Sequence, residues 1–162
     1  MVPVAVFAGI GVALFVSAFI SKRRFGLLGL ALTAGATLSR LWSYDAGLVV
    51  AATGLLPDGV FTQAIVQSAV VLLPPFLLLF HGYTYKHGLG RIIGSLLFTV
   101  LALAFLVEPL EYALPLSGQG ADIYIMFKQY KDIVISIGVS LAVADLFLTR
   151  PVNFGHHSKK HD

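Results

Sequence analysis

"FISKRRFGLLG", residues 19–29, places three adjacent cations between two long apolar runs. The chain around this stretch is poor in charge, because 57% of its 162 residues are hydrophobic and 12% are charged. An ordinary soluble domain carries about a quarter charged residues, and several of the apolar runs here reach the ~17–25 residues that cross a bilayer. The stretch is typical of a short turn between two transmembrane helices, and it predicts an all-α, polytopic transmembrane helical bundle.

The apolar runs on either side of this turn predict one transmembrane domain, residues 1–150, with about five spans. The stretches 46–57 and 121–132 are predicted to be interfacial segments, because the first is too short to cross and the second is amphipathic. Residues 151–162 form a polar tail. The predicted spans are about 2–20, 25–41, 60–80, 89–107 and 133–149.

Prolines predict irregularities in two of these spans. Pro74 and Pro75 remove two backbone donors, so the third helix should kink or break, with carbonyls near Val70 and Val71 left without their usual partners. Pro109 directly follows Glu108 and predicts a helix end there.

The positions of Lys and Arg predict the orientation of the chain. Cytoplasmic loops are enriched in these residues. If Lys22 is cytoplasmic, five alternating spans place the amino terminus outside and the tail inside the cell. We interpret the basic cluster as a topology signal, with contacts to anionic lipids as the alternative; its members are Lys22, Arg23, Arg24, Lys86 and Arg91.

Small residues recur every fourth position in three spans, and such ridges let helix backbones approach closely inside a bilayer. We expect at least two of the three ridges to make helix contacts, within a chain or between chains. The ridges are Gly9, Ala13 and Ser17; Ala31, Gly35 and Ser39; and Ser136, Ser140 and Ala144.

A few polar residues within or beside the spans are candidate functional positions. Asp145 lies near the predicted inner end, where it reaches the interface, the ridge of its own helix or Arg150; a role in a proton or cation pathway is the alternative. Gln63 and Gln67 share a helix face and suit an inter-helix hydrogen bond better than a substrate contact. Glu108 and Glu111 are expected to form a solvated acidic turn rather than a catalytic pair.

The sequence offers no positive support for catalysis or for a cofactor. It contains no cysteine, no histidine is deep enough in a span to bind haem, and no phosphate-binding loop or nucleophile elbow is present. We therefore expect no enzyme activity, no cofactor and no metal site. The cations flank apolar runs rather than forming a soluble basic domain, so nucleic acid is not an expected partner.

Two segments carry a resemblance to a known family. "SKRRFGLLGLAL" (21–32) and "YTYKHGLGRIIGSLL" (83–97) place basic turns between spans in an order that resembles the colicin V production protein family of small bacterial inner-membrane proteins. The resemblance covers roughly residues 1–112 and is one of layout, without a diagnostic motif. It implies a non-enzymatic membrane factor in export or envelope maintenance, and no functional residue carries over. The double proline and the fifth span depart from it.

Two functions remain open for a protein of this layout. The first is a scaffold or accessory subunit of a membrane complex, working through the lipid bilayer and through contacts with copies of itself or with other membrane subunits. The alternative is a small oligomeric channel or transporter for ions or small solutes. Either would place the chain in a plasma membrane, as a multi-pass protein of a bacterial or archaeal inner membrane.

Overall fold

The computed structural model describes residues 2–54, 59–80, 88–113 and 119–148, and within these ranges the fold is all-helical, as the sequence predicts. Five helices account for almost all of the described residues. Lys86, Arg150 and the tail 151–162 lie outside them. The helices are α1 (Val2–Ser21), α2 (Phe25–Ala52), α3 (Val60–Phe80), α4 (Gly88–Ala113) and α5 (Gln119–Leu148).

Helix α2 is longer than its predicted span, which was expected to end near residue 41. It continues to Ala52 and takes in most of the stretch that was interpreted as a separate interfacial segment. It ends where Gly54 adopts a φ of +67°, with the Thr53 N–H donating to the carbonyl of Val49 at 3.2 Å. A left-handed glycine just after the last turn is a common helix terminator. The stop signal of α2 is thus this glycine.

Helix α3 runs without interruption through Pro74 and Pro75, so the prolines do not divide it into two helices. The Val71 carbonyl loses its usual donor because Pro75 has no N–H. That carbonyl packs against Gly35 on α2, so closely that a Cβ at position 35 would overlap it. Such a close approach of a carbonyl to a glycine is typical of the weak Cα–H···O contacts that recur between packed helices.

Helices α4 and α5 also extend past their predicted limits. Pro109 is buried inside α4, which continues to Ala113 instead of ending at Glu108. The stretch 121–132 and the last predicted span form one continuous helix, α5. Both differences have one physical reason, since side chains on α5 pair with carboxylates on the last turns of α4 and hold the two helices side by side.

The core lies between α2, α4 and α5, with contributions from α1 and α3. Its largest fully buried side chains are Leu28, Leu32, Phe98 and Leu101. Glycines let α5 approach closely: a Cβ at Gly26 would lie 2.6 Å from the Ala142 oxygen, and one at Gly138 would lie 2.8 Å from a Leu101 methyl carbon. The centre of the bundle is therefore filled by apolar side chains.

Three helices are long and apolar enough to cross a membrane: Phe25–Ala52, Val60–Phe80 and the Gly88–Glu111 part of α4. Helix α1 contributes a shorter apolar stretch, Ala5–Ser21. Large apolar side chains are exposed around the outside of the bundle, among them Phe76, Leu89 and Ile137. A surface of this composition is typical of a protein whose solvent is lipid.

Candidate functional site

Charged side chains cap helix ends at the end of the bundle that carries Lys22, Arg23, Arg24 and Arg91, here named the basic end. Arg23 donates from Nε to the Leu79 carbonyl at 3.0 Å and from an Nη to the Phe80 carbonyl at 2.7 Å. These are among the last carbonyls of α3, which have no donor within their own helix. A cation there also complements the negative end of the helix dipole. Arg23 therefore joins the α1–α2 turn to the end of α3.

Arg91 makes the equivalent contact with α1. Its Nε donates to the Phe19 carbonyl, and its guanidinium lies 3.7 Å from the centroid of the Phe19 ring. The hydrogen bond satisfies a carbonyl in the last turn of α1, and the ring contact is a cation–π interaction. Two of the residues interpreted as topology signals thus also hold helix ends together.

Asp145 accepts a hydrogen bond at the start of α2, whereas the arginines described above donate to helix ends. Arg24 occupies the N-cap position without a side-chain cap, and the Gly26 N–H donates to Asp145 Oδ2 at 2.9 Å. A carboxylate beside a helix amino terminus pairs with unsatisfied N–H groups and with the positive end of the dipole. This contact joins α5 to α2, and the expected partner Arg150 lies outside the described residues.

The remaining described members of the basic cluster make fewer contacts with helix ends. Lys22 is exposed and has a φ of +56° in the turn. Arg24 is partly buried, and its Nε has no hydrogen-bond partner within the described residues. A helix start and one partly buried guanidinium define no ligand, so these two residues stay topology candidates.

The opposite end of the bundle, here named the far end, is held by two ion pairs between α4 and α5. Glu111 pairs with Lys128 at 2.7 Å, and Glu108 pairs with Lys131. Tyr124 adds a hydrogen bond from its hydroxyl to the Val107 carbonyl at 2.7 Å. The expected turn at Glu108 and Glu111 is wrong, because both residues lie on a continuous helix; their carboxylates remain in contact with solvent, and each has a lysine partner.

A polar cleft of about 320 Å³ opens between α2, α3, α4 and α5 in the half of the bundle nearest the far end. Ala36, Val71 and Ile135 contribute apolar wall. The polar side chains that line and define this polar cleft are Ser39, Arg40, Ser43, Gln67, Glu108, Lys131 and Asp132.

The charges in the polar cleft balance, but they are not all paired. Lys131 and Glu108 form an ion pair in which the lysine side chain is 16% exposed and the glutamate 57% exposed. Among the described residues, neither the Arg40 guanidinium nor the Asp132 carboxylate has an ion-pair or hydrogen-bond partner. One cation on α2 and one carboxylate on α5 are therefore free to contact a molecule in the cleft.

The two glutamines differ from the expected inter-helix pair. Gln63 is exposed and lines a neighbouring cavity of about 300 Å³ with Val60, Ala64 and Gln67. Neither glutamine side chain makes a hydrogen bond to another described residue; the link to α2 is a long one, 3.4 Å, from the Ser39 hydroxyl to the Gln67 backbone carbonyl. Gln67 is the glutamine that belongs to the polar cleft.

The three small-residue ridges have different surroundings. The α2 ridge of Ala31, Gly35 and Ser39 is buried, and Gly35 packs against α3. In contrast, the α1 ridge is exposed along Gly9, Ala13 and Ser17, and a Cβ at Gly9 would meet nothing within 4 Å. The α5 ridge lines a shallow outer groove of about 430 Å³, formed by Ser136, Ile137, Ser140, Leu141 and Ala144.

The polar cleft was not identified as a site from the sequence. Arg40, Ser43, Lys131 and Asp132 were not candidate functional positions in the sequence analysis. A usable signal was their common depth, since each lies in the far half of a long helix once α2 and α5 are recognised as continuous. No group of three or more potential metal ligands occurs among the described residues.

A scan against protein-family models and searches of curated proteins and of solved structures found no match to this chain.

Proposed function

We propose that this protein is a multi-pass integral membrane protein that acts as a non-enzymatic scaffold or accessory subunit of a membrane complex. Its apolar outer surface and its three helices of membrane-spanning length support a membrane location. We place it in a plasma membrane, most simply the inner membrane of a bacterium or archaeon. A role in export or envelope maintenance is the function implied by the layout that resembles the colicin V production protein family.

The closed core is the observation that carries this proposal. Between the basic end and the polar cleft, the buried positions of the described helices are filled by apolar side chains such as Leu32, Phe98 and Leu101. The buried hydroxyls of Ser95 and Thr99 each donate to a carbonyl of their own helix at 2.8 Å. The described helices of a single copy therefore offer no polar route from one end to the other, as transport by one chain would require.

The outward ridges of α1 and α5 supply association surfaces for such a subunit. Lipid gives helices no hydrophobic drive to associate, so close backbone approach at small residues is a principal source of affinity. The hydroxyls of Ser17, Ser136 and Ser140 are already satisfied by carbonyls four residues earlier. Association at these ridges would therefore rest on packing and would need no new polar partner.

The orientation is part of the proposal. We place the basic end in the cytoplasm, with five crossings, the amino terminus outside and the tail inside. Arg40, Lys128 and Lys131 then lie toward the outside, where each is near or paired with acidic groups. This arrangement follows the excess of Lys and Arg in cytoplasmic loops.

A second candidate function is a small oligomeric channel or transporter, and the polar cleft is the observation that favours it. Charged and hydroxyl side chains reach into the outer half of the bundle there, as they do at solute sites of many transporters. Because the core of one chain is closed, transport would need a path formed between copies.

The mass of the complex, measured after purification in mild detergent, tests the scaffold proposal. We expect the full-length protein to purify with additional subunits. Adding bulk to the ridges, by Ala13→Leu on α1 or Ser140→Leu on α5, should reduce their recovery roughly tenfold, because small-residue packing requires close backbone approach. Native mass spectrometry would identify and count the bound chains.

Ala69→Leu is the matched control, since it adds the same bulk at an exposed position of α3 outside the ridges. Recovery of partners should be unchanged in this variant. A monomer that carries only lipid would contradict the proposal, and a closed ring of identical copies would favour the channel instead.

A further inference from the structure

We propose that the polar cleft binds a small zwitterion, a molecule in which a primary ammonium and an oxyanion are separated by a few carbon atoms. Phosphoethanolamine chemistry fits this description, whether as the headgroup of a membrane lipid or as a free solute. The proposal is independent of the scaffold function, since it concerns the polar cleft and not the outer ridges of α1 and α5.

The arrangement of free charges selects this class of ligand. Arg40 on α2 and Asp132 on α5 line the same cleft, and both lack partners among the described residues, whereas Lys131 and Glu108 neutralise each other. A ligand carrying only an anion would satisfy Arg40 but would face the Asp132 carboxylate without compensation. A ligand carrying only a cation has the opposite defect. Both the Arg40 and the Asp132 side chains are exposed, and a zwitterion contacts both at once with hydrogen bonds between charged groups, which are stronger than those between neutral groups.

The hydrogen-bonding groups are distributed like the charges, with donors on the α2 wall of the cleft and an acceptor on the α5 wall. Ser39 and Ser43 lie on the Arg40 wall, one helical turn apart. The Ser39 hydroxyl donates to the Gln67 carbonyl at 3.4 Å, so the Ser43 hydroxyl and the Arg40 guanidinium are the donors that this wall offers to an oxyanion. Asp132 on the α5 wall is an acceptor and suits the N–H groups of a primary ammonium. The Gln67 amide on α3 can serve either half of the ligand.

The size and depth of the cleft limit the ligand further. About 320 Å³ is at the lower end of the range for small-molecule sites, so the cleft holds a headgroup or an amino-acid-sized solute but not an acyl chain. Arg40 lies 15 residues beyond Phe25, roughly 23 Å along α2 at ~1.5 Å per residue. That depth is near the far edge of a hydrocarbon core about 30 Å thick, where a lipid headgroup and a solute both have access.

Binding to the full-length protein in nanodiscs tests the proposal and separates the two sources. In the lipid arm, phosphatidylethanolamine is compared with phosphatidylcholine, whose ammonium has no N–H, and with anionic phosphatidylglycerol. In the solute arm, free phosphoethanolamine is added to the protein in phosphatidylcholine discs. Native mass spectrometry and the shift in unfolding temperature report binding. If the ligand is a lipid, we expect phosphatidylethanolamine to bind roughly tenfold more tightly than either of the other two lipids. If the ligand is a solute, we expect free phosphoethanolamine to bind to the protein in phosphatidylcholine discs.

Charge-neutralising variants assign the binding to the cleft. Arg40→Gln and Asp132→Asn should each weaken binding roughly tenfold, because each removes one charged contact. Asp45→Asn and Lys22→Gln are exposed and lie outside the cleft, and they should bind as the wild type does. Equal binding by the wild type and the cleft variants, a preference for phosphatidylglycerol, or absence of binding in both arms would each overturn the proposal.

Discussion

Asp145 illustrates how a single ionisable residue within an apolar helix can have a structural role. Charged residues in such helices are more often interpreted as part of a transport pathway. The Asp145 carboxylate accepts the Gly26 N–H at 2.9 Å, at the start of a helix whose own N-cap residue supplies no side-chain cap. The contact therefore joins α5 to α2 through one of the N–H groups that a helix leaves unsatisfied. A carboxylate held in this way has a stabilising role whether or not protons move through the protein.

We expect Asp145→Ala to lower the free energy of unfolding by about 1–2 kcal/mol, since it removes both the acceptor and its charge from the helix start. Asp145→Asn keeps an acceptor oxygen and should cost less, about 0.3–1 kcal/mol for the lost charge. Unfolding by sodium dodecyl sulfate, followed by circular dichroism in mild detergent, measures both changes.

Asp45→Ala is the control, because Asp45 is exposed on α2. This variant should unfold at the same detergent concentration as the wild type. If Asp145→Ala were as stable as this control, the capping role of Asp145 would be wrong.

At the scale of elements, the pairing of α2 with α3 depends on two features that complement each other. Pro75 frees the Val71 carbonyl, and Gly35 leaves the space into which that carbonyl packs. Pro74 and Pro75 were expected to kink or break α3; the helix is not broken, and Pro75 leaves an acceptor at a helix interface. The cost of an unpaired carbonyl is reduced because it lies against a Cα–H group and not against hydrocarbon.

Gly35→Ala should destabilise the protein by about 1–3 kcal/mol, because the new methyl group meets backbone atoms that cannot rotate away. Gly47→Ala is a control on the same helix, with nothing within 4 Å of the added Cβ, and it should be neutral or slightly stabilising. Both are compared by the same detergent unfolding. Equal stability of the two variants would show that α2 and α3 do not pack at Gly35.

The sequence predicted which residues are helical far better than where the helices end or what they touch. Apolar runs mark the five helices because outward-facing and core-facing positions are both apolar. The ends of α4 and α5 depend on ion pairs between Glu108 and Lys131 and between Glu111 and Lys128, which no local pattern contains. Three ridges also look alike in sequence, yet only that of α2 is packed within the chain, and spacing alone cannot distinguish these cases.

For the whole molecule, the two ends of the bundle differ in charge chemistry. The basic end uses arginines and one aspartate to satisfy helix termini, whereas the far end uses lysine–glutamate pairs between two helices. The polar cleft lies on the far side of the closed core. The orientation of the bundle therefore decides which compartment reaches the cleft.

Labelling of single cysteines in intact cells tests this orientation, and the chain contains no native cysteine to remove. We expect Ala52→Cys, at the exposed end of α2, to react with a membrane-impermeant maleimide added from outside. Gly88→Cys, at the exposed start of α4, should react only after the cells are permeabilised. The reverse pattern would invert the proposed topology and expose the cleft to the cytoplasm.

The contacts at the basic end can form only in a certain order during synthesis of the chain. As the ribosome releases the chain from its amino terminus, the first N–H groups of α2 emerge 119 residues before the carboxylate that will accept one of them. Arg23 likewise awaits carbonyls 56 and 57 residues downstream. The turn between α1 and α2 thus leaves the ribosome before the partners of these groups are made, and α5, the last of the described helices, supplies the acceptor for the start of α2.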